Sequence, residues 1–154
     1  MAALLAFATF ACAGGASAGD IAVIVNPRNP ETGVPSSELE HIFKQEKQHW
    51  KAGEKIYLIL QESGTPEKDI VLRRLYRMTD MELKQFWLGK LYRGEIASFP
   101  RVAPSNAAVK RIVAWAPNAL GFIDTSAVDA SVKVLRIDGK RPGEAGYLLA
   151  ALGK

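Results

Sequence analysis

The sequence has 154 residues, 48% of them hydrophobic and 23% charged, which suits one ordinary globular domain. Its formal net charge of +4 comes from lysines and arginines mixed with acids, as in Glu46-Lys47 and Glu67-Lys68-Asp69, so a general bias towards anions is expected and nucleic acid is not. The single cysteine, Cys12, excludes a disulfide framework and a Cys-based metal site.

Residues 1–18, MAALLAFATFACAGGASA, carry no charge and end in Ala16-Ser17-Ala18. An apolar run closed by an A-x-A pattern predicts a secretory signal peptide cleaved after Ala18. A buried N-terminal helix is the competing reading. The run is shorter than the roughly 20 apolar residues of a membrane span, so no stable insertion is expected after cleavage. Lipidation of Cys12 is a minor option, since Thr9-Phe10-Ala11 matches the usual apolar-small-small run poorly. Residues 19–154 then form one domain, long enough to bury a core without cross-links.

Residues 21–25 (IAVIV) read as a strand covered on both faces. A loop rich in Pro and Gly follows, to Pro35. Ser37 and Glu40 make a capping box for a helix with Leu39, Ile42 and Phe43 on one face. Trp50, in the turn after it, is expected to close the edge of the core.

Residues 56–60 (IYLIL) predict the next strand, which breaks at Glu62-Ser63-Gly64-Thr65-Pro66. Thr65 suits a helix N-cap and Pro66 the first helical position. The helix carries Val71, Leu72, Leu75 and Met78 along one face. Strand, small-residue turn and helix start together point backbone N–H groups and the positive end of a helix dipole at one spot, which can hold an anion.

Thr79 and Glu82 form a second capping box, opening a helix with Leu83, Phe86, Trp87 and Leu91 as a core stripe. Residues 94–104 read as a loop with two prolines. Ser105 caps a helix whose apolar face is Ala108, Val109, Ile112, Val113 and Ala116, with Trp115 off the stripe. Residues 120–123 and 132–138 are further strands, and Asp138-Gly139 is a turn. The tail, 140–154, shows no clear partner. Strands alternating with helices predict an α/β fold, a mixed, mostly parallel sheet with helices on both faces. Ligands of such sheets bind beyond the carboxyl ends of strands, where the turn at 63–65 lies.

Several motifs in order carry a family resemblance. IAVIVNPRNP followed by SSELEHIFKQEKQHWKAGEKIYLIL resembles the start of a lobe in the phosphate-binding proteins of ABC transporters, with its strand ending in VN, its "L..IF.G....W..G" helix and its "SGT" turn. PSNAAVKRIVAWAPNALGFID is similar to the family's "S..V...V....GAIGYV" segment, and VKVLRIDG to its next strand. The match spans residues 21–139. The resemblance implies a periplasmic binding fold of the second type, here a single lobe. It implies phosphate or a similar oxyanion held by Ser63, Gly64 and Thr65, with Ser105 and Asn106 as a weaker second set. It implies a periplasmic solute-binding role beside a transporter, with no cofactor and no metal.

The sequence also departs from the pattern. The family has two lobes, and this length accommodates one. The second lobe's Gly-Ser-Thr-rich turn is absent. An Arg four residues before the Ser of SGT is replaced by Ile59. Glu62, Glu67 and Asp69 surround the turn, each repelling phosphate by roughly 1 to 4 kcal/mol at close range. The alternative is therefore a ligand-free interaction module of the cell envelope that keeps the fold and meets an envelope protein. An enzyme is not expected. Glu38 and His41 share a helix face at i, i+3, but only His49 offers a third metal ligand, and a solvated face explains them. Ser63 sits in no G-x-S-x-G elbow.

Overall fold

Five consecutive apolar residues, Ile21–Val25, form strand β1, and all five are shielded from solvent. A strand with no polar position has no face for water, so it belongs inside a covered sheet. The computed structural model describes residues 19–153 and places β1 in such a sheet. From edge to edge the strands are Arg101–Ala103 (β4), Tyr57–Gln61 (β3), Ala119–Asp124 (β5), β1 and Lys133–Val134 (β6). β3 runs parallel to β4 and to β5, whereas β1 is antiparallel to both β5 and β6. Gly33–Val34 (β2) and Arg136–Ile137 (β7) make a separate parallel pair. Three of the five pairings are therefore parallel.

Alternation along the strands divides the core in two. Ile21, Val23 and Val25 point into the larger core. That core also takes residues of Ser36–Phe43 (α1), Pro66–Val71 (α2) and Asp80–Tyr92 (α3). Ala22, Ile24 and Ile59 point the other way, onto Val109 and Val113 of Asn106–Trp115 (α4). α4 lies so close to the sheet that a Cβ on Gly121 would stand 2.6 Å from Val109 Cγ1. Trp50 is buried at the edge of the larger core, and Trp115 faces solvent.

The caps at Thr65, Thr79 and Ser105 form as their sequences predict, and Thr79 with Glu82 completes its reciprocal box. The box at Ser37 and Glu40 does not form. α1 starts two residues earlier, with Pro35 at the N-cap and no side-chain cap. The amide of Ser36 donates instead to Asp138 Oδ1 at 2.8 Å, so the turn after β7 does the capping from a distance.

Other boundaries differ from the sequence expectation for physical reasons. The 94–104 loop contains β4, a three-residue edge strand that pairs only on one side. The predicted strand at 132–138 divides at Leu135 into β6 and β7, which pair with different partners. α2 widens into a π-helical turn, Leu72–Tyr76, and ends at Arg77 in the left-handed region (φ 55°). Leu91 lies on the exposed side of α3, while Leu83 and Trp87 are buried. The tail packs into the core: Leu149 is fully buried, its carbonyl accepts from the Ile21 amide at 2.9 Å, and Tyr147 Oη donates to the Ile21 carbonyl at 2.7 Å.

Candidate functional site

The end of β3 delivers the turn. Glu62 N–H donates to Ala103 O, which pins the exit of β3 to its neighbour β4. Gly64 then takes φ +89°, a conformation L side chains rarely adopt, with open space around it. Thr65 is committed to the helix: its hydroxyl donates to Glu62 O at 3.0 Å and accepts from Lys68 N at 3.3 Å. The amides of Ser63 and Gly64 meet no acceptor among the described residues.

Ser63 is engaged differently. Its Oγ lies 2.8 Å from Asp80 Oδ1 and 2.9 Å from Oδ2, donating to the carboxylate at the first residue of α3. Two ammonium groups flank the same carboxylate, Lys68 at 3.1 Å and Lys84 at 2.8 Å. Lys68 is itself buried and reaches Ser63 Oγ at 3.5 Å. The Lys84 ammonium holds the Asp80 carboxyl down at about 2; burial works against this, and the bonds from Ser63 and Lys68 reinforce it. A carboxylate thus rests on the serine hydroxyl between two cations. The acids foreseen around the turn behave otherwise: Glu67 accepts from Asn106, and Glu62 and Asp69 are exposed.

Asn106 ties a second helix start to the first. Its Oδ1 accepts from Gln61 Nε2 at 2.8 Å and from the Asp124 amide at 3.1 Å, and its Nδ2 donates to Glu67 at 2.7 Å. The ends of β3 and β5 and the first turn of α2 are therefore joined through one side chain. Ser105 accepts from Ala108 N as the cap of α4. The orphan of this network is Gln61 Oε1, buried with no partner among the described residues.

Beside the turn lies a cleft of about 490 Å³. Its polar side is Ser63, Lys68, Asp80 and Lys84, with Glu62. Its other walls are apolar: Leu60 from β3, Leu83 and Trp87 from α3, and Phe99, Pro100 and Val102 at β4. Trp87 buries an indole N–H that has no acceptor among the described residues. Glu38, His41 and His49 do not converge: Glu38 pairs with Lys47, His41 with Glu46, and His49 bridges to Lys55. Among the described residues no group of three His, Cys, Asp or Glu side chains could hold a metal ion, and no helix is long and apolar enough to cross a membrane.

The sheet is covered on both faces and carries a Ser-Gly-Thr turn at the carboxyl end of a parallel strand, the place where ligands of α/β sheets bind. In fold the chain is similar to phosphate receptors of ABC transporters. An ABC-type phosphate transport receptor from Vibrio cholerae matches with a TM-score of 0.71 at 22% identity, over 88% of this chain and 55% of the receptor. A protein from Clostridium perfringens, described as a phosphate ABC transporter substrate-binding protein and solved with bound phosphate, matches at 0.66 and 21%, over 82% and 48%. PstS from Borrelia burgdorferi matches at 0.64 and 19%, over 82% and 50%. The chain thus spans about half the length of these structures. No protein-family model and no curated protein matches it significantly.

The residues missed from sequence were Lys68, Asp80 and Lys84. Asp80 and Lys84 are an i, i+4 pair of opposite charge, which is legible on a helix. Nothing local announces that this pair closes on Ser63, 17 residues earlier.

Proposed function

We propose that the protein is a solute-binding protein of the periplasm, directed there by residues 1–18 with cleavage after Ala18, and that domain 19–154 binds a small oxyanion such as phosphate. The anion lies at Ser63, Gly64 and Thr65. Ser105 and Asn106 serve as the second helix start, linked to the turn through Glu67. The solute is passed to an ABC transporter, the setting named for the proteins of similar fold.

The observation that carries this reading is the hold on Asp80. A serine hydroxyl and two ammonium groups converge on one carboxylate, beside two amides that meet no acceptor among the described residues. Hydroxyl, ammonium and amide are the donors an oxyanion needs, and an anionic group already rests on the hydroxyl and ammonium donors. A ligand anion takes over these donors as the Asp80 side chain turns aside. Calorimetric titration of the mature protein with inorganic phosphate tests this. Saturable heat, reduced in Ser63→Ala, is expected. No heat at millimolar phosphate overturns it. Capture of an envelope protein indifferent to Ser63→Ala and Thr65→Ala would then leave the ligand-free interaction module.

A further inference from the structure

The cleft beside the turn is larger and more apolar than a bare inorganic anion requires. We propose that it accommodates an organic oxyanion, a phosphonate or phosphate monoester bearing an aryl or short alkyl group, with its head at Ser63, Lys68 and Lys84 and its body along Leu83, Trp87 and Phe99. This rests on the reading of the turn as an oxyanion site and adds the class of solute.

Volume comes first. About 490 Å³ is in the range of small-molecule sites, which are apolar clefts with a few convergent polar groups. Exposed apolar surface at the same place is the second observation. Leu88, Phe99 and Val102 are 45%, 48% and 52% exposed, and all three line the cleft. Large apolar side chains gathered in the open beside a polar cluster mark surface that a partner covers.

The polar side supplies the head-group chemistry. Each ammonium carries three N–H donors, and Asp80 takes one from Lys68 and one from Lys84. Lys68 also reaches Ser63 Oγ, so the head of the ligand draws on the donors that Asp80 gives up as it turns aside, with the remaining N–H groups of Lys84 beside them. Lys68 is buried, so its charge is poorly screened by water.

The test compares ligands that share a head. Inorganic phosphate, methylphosphonate, phenylphosphonate and benzyl alcohol are titrated into the mature protein by calorimetry. Phenylphosphonate is expected to bind about ten-fold tighter than methylphosphonate, from the added apolar burial. Phe99→Ala, a half-exposed position whose loss spares the core, is expected to remove most of that gain and to weaken methylphosphonate far less than phenylphosphonate. Equal binding of the two phosphonates overturns the inference and leaves the oxyanion site standing. A gain that survives Phe99→Ala overturns the placement of the body in this cleft. Benzyl alcohol binding as tightly as phenylphosphonate overturns the head-group assignment. Absence of binding by all three anions removes the oxyanion site and this inference together.

Discussion

Ser63 and Asp80 meet across 17 residues of sequence, the serine hydroxyl 2.8 and 2.9 Å from the two carboxylate oxygens. This one contact joins the turn after β3 to the first residue of α3. It also puts a fixed negative charge where the proposed ligand's charge must go. Protein carboxylate and ligand anion therefore compete for the same donors. Asp80→Asn is expected to raise phosphate affinity about ten-fold, the order of one unit charge removed at close range in a partly screened site. Glu62→Gln removes a charge from the same turn without touching Ser63, and a change of no more than about three-fold is expected there. Parallel calorimetric titrations of the two variants separate displacement of a competitor from a general change of charge.

The same carboxylate links the fold to pH. Its folded value of about 2 lies below the ordinary 3.8, so it stabilises the native state where it is ionised, above 3.8. That contribution is lost as pH falls from 3.8 towards about 2. The melting temperature of the wild type is expected to fall more steeply through this window than that of Asp80→Asn. Parallel acid limbs for the two proteins would show that Asp80 is not linked to folding.

Gly121 sets the distance between α4 and the sheet. A methyl group there would stand 2.6 Å from Val109 Cγ1 and 3.3 Å from Val113 Cγ2. Gly121→Ala is expected to cost about 1 to 3 kcal/mol in urea unfolding, the usual penalty of overpacking. Val109→Ala in the same chain removes the closest clash, so the double variant is expected to lose less than the sum of the two single changes.

Tyr147 anchors the tail. Its ring is buried and its hydroxyl donates to the Ile21 carbonyl, and burial pushes its ionisation well above the ordinary phenol value. Tyr147→Phe keeps the ring and removes the donor. A loss of about 1 to 3 kcal/mol is expected, because a buried carbonyl gives up a partner. Denaturant unfolding followed by near-ultraviolet circular dichroism measures it.

Local chemistry was legible from the sequence, and distant pairing was not. The box at Thr79 and Glu82 lies within four residues and forms as read. The box at Ser37 and Glu40 looked as good but lost to Asp138, about a hundred residues away. The Ser-Gly-Thr turn and its helix were readable because strand, glycine and proline follow one another. Asp80 opposite Ser63, and Asn106 on Glu67, were not, since each pair meets only when the sheet is assembled. β4 is only three residues long, directly after Pro100, too short to show a period. Tyr147 and Leu149 lie in a short apolar run, 147–152, with no helical or strand period among turns, and only the folded structure reveals that they cover β1.

β1 bonds to residues synthesised about a hundred or more positions later: Ile21 pairs with Asp124, and its own polar groups meet Leu149 and Tyr147. A nascent chain therefore carries five consecutive apolar residues with nowhere to put them until residues 119–149 have emerged. Completion of the domain is tied to delivery of Tyr147 and Leu149, and a chain stopped short of Tyr147 would leave that strand uncovered and prone to aggregate.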